Sequence, residues 1–333
     1  MKKLLLVLFV LLGAVSLLGC NTSEFKVDGE FTAYRAQVSS NKPQVTMVTV
    51  TIEDGEIVGY DIDVRQGTRT STGDPAVYSW AWNAQTKKEL GYGYHMFYST
   101  YQATDETPTE AEYITWLGAN DKLEWFEQAE VIEAYWLANG VDSIVPVEGE
   151  FPAEVGVSIS DSDYVALAAE AVANAKLGKF QAIACSGTDL YSASMIVSEK
   201  GVVSELKLDT LQATKSTSAG TFVWKDSTKQ QLGFAYHLHY STYAATDETP
   251  SDAEYETWLA ANDKLEWFQQ ANLITDYILA NGWNANLQPI EGDGVSLDGT
   301  TPLAACAGVS ISTATYFQVL GDLFGAVAEG EIK

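Results

Sequence analysis

Residues 90–140 read LGYGYHMFYSTYQATDETPTEAEYITWLGANDKLEWFEQAEVIEAYWLANG, and residues 232–282 read LGFAYHLHYSTYAATDETPSDAEYETWLAANDKLEWFQQANLITDYILANG. The two stretches align without a gap at an offset of 142, with 36 of 51 positions identical. A period this long marks a duplicated unit of domain size, far beyond the roughly 20–50 residues of a solenoid repeat. The chain reads as two copies of one unit, residues 25–177 and 180–333, joined at Leu177-Gly178-Lys179 with almost no free linker. So short a join favours halves packed in a fixed relation.

Strand signals precede each repeat. Val48, Val50 and Ile52 alternate with Thr49, Thr51 and Glu53, the period-two pattern of a half-buried strand. Asp54-Gly55 suits the positive φ angles of a tight hairpin, and Val58, Tyr60, Ile62 and Val64 continue the alternation. Met195-Ile196-Val197, Lys200-Gly201, Leu206 and Leu208 take the same places in the second copy, and Trp82 aligns with Trp224.

Helix signals follow. Thr107-Pro108-Thr109-Glu110 predicts a helix capped by Thr107, with proline at its first position; Thr249-Pro250-Ser251-Asp252 repeats it. A second helix is expected from near Asp121, with Glu124 closing its capping box, to Gly140, and its twin ends at Gly282. Leu123, Phe126, Ala129, Ile132 and Trp136 share one face, as do Leu265, Phe268, Ala271, Ile274 and Ile278; both stripes read as core. A third helix closes each copy, and the second copy carries about nine extra residues around Gly292–Thr301. The expected fold is α+β, each copy an antiparallel sheet with about three helices.

The amino terminus bears on location. Lys2 and Lys3 precede an apolar run from Leu4 to Leu18 that closes on Leu17-Leu18-Gly19-Cys20. That is the build of a secretory signal, residues 1–19, and is short for a membrane span. The closing tetrapeptide resembles a bacterial lipobox, which implies diacylation of Cys20, a tether over residues 20–24 and an anchor on the outer face of the cell membrane. The formal net charge of −26, more negative still without the two lysines, repels nucleic acid and offers no basic cluster to bind it. Beyond Cys20 only Cys185 and Cys306 remain; two cysteines make no framework, and the sequence leaves them free or paired. His95, His237 and His239 lack a metal-ligand spacing, so no metal is expected.

The strand–Asp54-Gly55–strand opening, the Glu89-Leu90-Gly91 segment and the Gly-Val-Ser segment before each last helix resemble the FMN-binding domain of exported bacterial flavoproteins. The resemblance covers both copies. It implies a phosphoester between FMN and a hydroxyl at Ser158 and Ser310, beside Gly156 and Gly308. The phosphate would then sit at the amino terminus of the final helix, where unpaired N–H groups and the dipole favour it. Val157 and Val309 stand where that family has alanine, and Pro152 and Ala304 where it has aspartate, which counts against covalent attachment.

A second surface is aromatic. Tyr92, Tyr94, His95, Phe97, Tyr98 and Tyr101 crowd one segment, with Phe234, Tyr236, His237, His239, Tyr240 and Tyr243 in its twin. As strands these would expose alternate rings. Tyr94, His95, Tyr236 and His237 are the candidates to hold a flavin ring or the face of a sugar. No nucleophile motif accompanies the histidines, so a hydrolase is disfavoured. Two readings stand. One is a cell-surface lipoprotein with two FMN-binding-like modules relaying electrons to a redox partner. The other is a non-catalytic lipoprotein that kept the fold, lost the flavin and holds a ligand.

Overall fold

The computed structural model describes residues 24–102, 109–246, 251–290, 294–311 and 314–333. Cys20, the residues before it, and Thr107, Pro108, Thr249 and Pro250 lie outside the described residues.

Strands β1 (Gly29–Ser39), β2 (Lys42–Glu53), β3 (Glu56–Thr72) and β4 (Val77–Trp82) form an antiparallel meander. Asp54 (φ 51°) and Gly55 (φ 71°) make the expected turn, with Glu53 paired to Glu56. Val48, Val50, Ile52, Ile62 and Val64 are buried, as the alternation requires, while a register shift at Thr51/Ile52 precedes Val58, which is exposed. Helices α1 (Lys87–Leu90), α2 (Tyr98–Gln102), α3 (Glu110–Ala119), α4 (Trp125–Asn139) and α5 (Tyr164–Leu177) follow.

The second half repeats this order: β5 (Lys179–Ser186), β6 (Asp189–Val197), β7 (Val203–Leu211), β8 (Ala213–Ser216) and β9 (Thr221–Trp224). Then come α6 (Lys229–Leu232), α7 (Tyr240–Ala244), α8 (Asp252–Ala261), α9 (Trp267–Asn281), the short β10 (Gln288–Pro289) and β11 (Val295–Ser296), and α10 (Ala314–Gly325). The long β3 is broken here into β7 and β8, so β5–β7 and β8–β9 form separate small sheets. The architecture is α+β with antiparallel sheets.

Several local expectations are corrected. The first long helix of each repeat begins later than its Thr-Pro signal, at Glu110 behind an N-cap at Thr109, whose box partner is Glu112. The next helix begins at Trp125, and Glu124 is its N-cap rather than the box partner, a role that falls to Glu127. Its buried stripe is accordingly Trp125, Gln128, Ala129, Ile132 and Trp136; Leu123 precedes the helix and is exposed. The aromatic segment is not a strand: Gly91–Tyr94 is a 3-10 turn and Tyr98–Gln102 a short helix.

The halves keep separate sheets but share one continuous apolar core. The join runs straight from α5 into β5, and structurally equivalent residues meet each other across the seam. Gly29-Glu30-Phe31 and Gly178-Lys179-Phe180 open the two sheets, and Phe31 stacks on Phe180 with centroids 4.1 Å apart. Trp80 lies 6.1 Å from Phe222 and Trp82 lies 6.1 Å from Trp224, each pair related by the repeat offset. The two tryptophan contacts thus each join a residue to the one 142 positions on in the sequence repeat. Backbone and side-chain bonds reinforce the seam: Tyr78 N–H donates to Thr217 O (2.8 Å), Arg69 to Gly220 O (2.8 Å) and Trp224 Nε1 to Gln37 O (2.8 Å). The bonding is not reciprocal: Trp82 Nε1 is buried without a hydrogen-bond partner among the described residues, and β5 ends at Ser186 where β1 continues past Gln37.

The carboxyl-terminal segment closes the structure. Glu30 N–H donates to Ala326 O (2.7 Å) and Ala328 N–H to Asp28 O (3.1 Å). Gly29 is required there, since a Cβ would lie 2.4 Å from Ala326 O.

Candidate functional site

The Gly-Val-Ser turns are held from below by a buried glutamine. In the first half the Gln128 side-chain oxygen accepts Ser158 N–H (2.6 Å), Ile159 N–H (3.0 Å) and the Ser158 hydroxyl (3.2 Å). Gln270 repeats this for Ser310 and Ile311 at 2.6, 3.0 and 3.2 Å. Each glutamine is fixed in turn by its amide nitrogen, which donates to the carbonyl of Leu123 or Leu265 (both 2.8 Å). Gly156 and Gly308, at φ 80° and 84°, let the chain turn into this cradle.

The expected helix-terminal seat for a phosphate is not formed. Ser158 lies in irregular chain six positions before Tyr164 opens α5, and Asp163 occupies the N-cap. Ser310 likewise sits in irregular chain, ahead of Ala314 where α10 begins. Both serines are exposed, but the N–H groups that would meet a phosphate are spent on the glutamine oxygen, and a carboxylate stands at the α5 terminus.

The aromatic segments build two satellite cores. Tyr101, Tyr113 and Leu117 are buried together in one half, and Tyr243, Tyr255 and Leu259 in the other. A buried carboxylate organises each. Glu124 accepts Met96 N–H (3.0 Å), Trp125 N–H (2.8 Å) and Tyr113 OH (2.6 Å); Glu266 accepts Leu238 N–H, Trp267 N–H and Tyr255 OH (2.8 Å). Burial and the neighbouring carboxylate push both tyrosine hydroxyls up. His95 and His237 pack into these clusters with left-handed backbones (φ 60° and 61°), centroids 4.3 Å from Tyr98 and Tyr240. His237 Nε2 lies 3.2 Å from Asp252 Oδ1, while His95 Nε2 is buried with no hydrogen-bond partner among the described residues.

Tyr94 and Tyr236 stand apart, on the main core. Each shares an ammonium with a tryptophan: Lys87 Nζ lies 4.9 Å from the centroids of both Tyr94 and Trp125, and Lys229 Nζ lies 4.9 Å from Tyr236 and 5.3 Å from Trp267. A lysine ammonium therefore lies over one face of each of these rings, where a flavin would otherwise stack. Burial pushes Lys87 down to about 8, against the pull of Asp63, and lowers Lys229 as well. Taken together, the residues do not fit covalently bound FMN.

Clefts open elsewhere. One of about 450 Å³ lies on the seam, between Tyr34 of β1 and the outer face of the β5–β7 sheet. Register places Gln181, Ser194 and Lys207 in one cross-strand row and Ser192 beside Asp209 in the next, all on the face opposite the buried Ala193 and Leu208. Gln230 and Asn272 wall the cleft from α6 and α9. In the first half the matching positions hold ions: Lys88 Nζ sits 2.5 Å from Asp61 and 2.7 Å from Glu133. Burial lowers Lys88, but the bonds to Asp61 and Glu133 outweigh it and raise the group. In the second half Lys88, Asp61 and Glu133 are replaced by Gln230, Lys207 and Thr275. Gln230 Nε2 then turns to Leu208 O (3.0 Å) and Asn272 Oδ1 (3.3 Å). None of the seam residues carried a sequence signal, since only the fold brings β1 to β5–β7.

Comparison with protein-family models, curated proteins and solved structures found no match to this chain.

Proposed function

We propose that this protein is an extracytoplasmic, lipid-anchored binding protein that holds a small ligand in the seam cleft and carries no flavin. The observation that supports it is the exchange of the Lys88–Asp61–Glu133 ion cluster for Lys207, Gln230 and Thr275, beside a polar cleft walled by both halves. On this reading the two tandem copies are one binding unit, and the duplication supplies walls that neither copy has alone. The size is that of small-molecule sites, roughly 300–1,000 Å³, but the lining is more polar than is usual for them, which suits a polar ligand.

The electron-relay reading, with FMN on Ser158 and Ser310, draws on one feature: both hydroxyl-bearing side chains reach solvent. Intact mass and the absorbance spectrum of natively expressed protein separate the readings. A mass equal to the lipidated polypeptide, without flavin bands, is expected. One or two added FMN residues, removed by Ser158→Ala with Ser310→Ala, would establish the relay instead. For the anchor, Cys20→Ser is expected to release the protein from the membrane fraction. Diacylation supplies the two chains that stable anchoring needs.

A further inference from the structure

We infer that the seam cleft binds a neutral polyhydroxylated molecule of mono- or disaccharide size; this rests on the binding-protein reading above. The groups that converge are polar and partly engaged. Gln230 Nε2 donates to Leu208 O and Asn272 Oδ1, and Gln181 Oε1 accepts from Asn174 Nδ2 (2.8 Å). That leaves Gln230 Oε1 as an acceptor and Gln181 Nε2 and Asn272 Nδ2 as donors without a bond among the described residues, beside the Ser194 hydroxyl. Tyr34 lends a half-buried aromatic ring beside them, its hydroxyl bonded to Ser192. A ligand with many hydroxyls, each both donor and acceptor, satisfies such a lining; an apolar ligand would leave it unpaired.

Lys207 has no ion-pair partner among the described residues, and Asp209 spends one oxygen on the N–H groups of Thr210 (2.7 Å) and Gln230 (3.0 Å). The other oxygen carries no hydrogen bond among the described residues. One cation and one anion on the same face sum to zero, so the cleft itself asks for no net charge. The strongly acidic chain around it disfavours anions further. The cleft's volume, about 450 Å³, is room for one or two pyranose rings, not for a nucleotide cofactor or a peptide.

The experiment is saturation-transfer NMR and calorimetry on the full mature chain with D-glucose, maltose and myo-inositol, and with glucose 6-phosphate as the anionic comparison. At least one neutral polyol should bind, and more tightly than the phosphate. Asn272→Leu and Lys207→Met, both at exposed positions, should each weaken binding about tenfold with an unchanged thermal midpoint, the loss of one or two hydrogen bonds. The triple exchange Lys207→Asp, Gln230→Lys, Thr275→Glu installs the first-half ions and should abolish binding. Failure of every neutral polyol to bind, or binding indifferent to Asn272→Leu and Lys207→Met, overturns the inference. The flavin-free reading is judged separately, by the mass spectrum.

Discussion

The indole of Trp82 lies 6.1 Å from the indole of Trp224, 24° from parallel, and each is the other's counterpart in the repeat. Neither residue could serve this contact in an isolated copy. The pair therefore measures how far the two halves have become one body. Trp82→Ala and Trp224→Ala should each destabilise the whole chain, with a coupling of about 0.5–1.5 kcal/mol in the double-mutant cycle. Urea midpoints of the four proteins supply it, and a coupling of zero would show that the stacking is incidental. A single unfolding transition is expected, because the core is continuous.

Gln128 holds three donors of the Gly-Val-Ser turn through one oxygen. Gln128→Ala leaves the N–H of buried Ile159 without an acceptor and should cost about 1–3 kcal/mol. Amide exchange at Ser158 and Ile159 should accelerate while the sheet amides stay protected. Gln270→Ala should do the same at Ser310 and Ile311.

Lys87 couples stability to pH in an unusual direction. Its folded value, about 8, lies below the ordinary 10.5, so between those values the unfolded chain binds the extra proton. This group's contribution consequently rises with pH from about 8 to about 10.5 and is flat on either side. Denaturation midpoints of wild type and Lys87→Met, compared across that window, should diverge in favour of the wild type as pH increases. A constant difference would mean that Lys87 is not desolvated.

Cys185 and Cys306 are free thiols, the first half-buried and pushed up to about 12 by burial, the second buried. In a chain lacking Cys20, a thiol reagent at pH 8 should react slowly with the native protein and titrate two groups on unfolding. Rapid native reaction, or no thiol after unfolding, would contradict the packing.

The hairpin over Val48–Val64 was legible because one face is buried almost without exception, so alternation and turn chemistry agree. The helix starts were misread by a few residues for a reason visible at Glu124. A carboxylate buried among backbone donors can act as N-cap, and spacing alone does not separate it from the box position three residues after the cap of a helix that begins earlier. Strand β1 escaped because Arg35 and Gln37, on the face of Phe31 and Ala33, break its alternation where the strand leaves the core. In the sequence the aromatic run is open between strand and core packing because tyrosine and phenylalanine favour sheets, and here they close small cores beneath 3-10 and helical turns. The seam cleft depends on residues from six elements of both halves, and no local pattern encodes it.

Asp28, Glu30, Ala326 and Ala328 bring the start of β1 and the end of the chain into hydrogen-bonded contact, while Gly178 carries the chain from α5 into β5 at the counterpart position. One crossing is a peptide link and the other a pair of hydrogen bonds. Topologically the molecule is a ring of two units with a single cut. Moving the cut, by tying residue 328 to residue 28 through a short linker and opening the chain at Gly178, would reverse the order of the units yet leave every strand pairing intact. A cooperative unfolding transition kept in that permuted chain would show that the order of the halves is incidental to folding; its loss would show that the peptide link at Gly178 is needed.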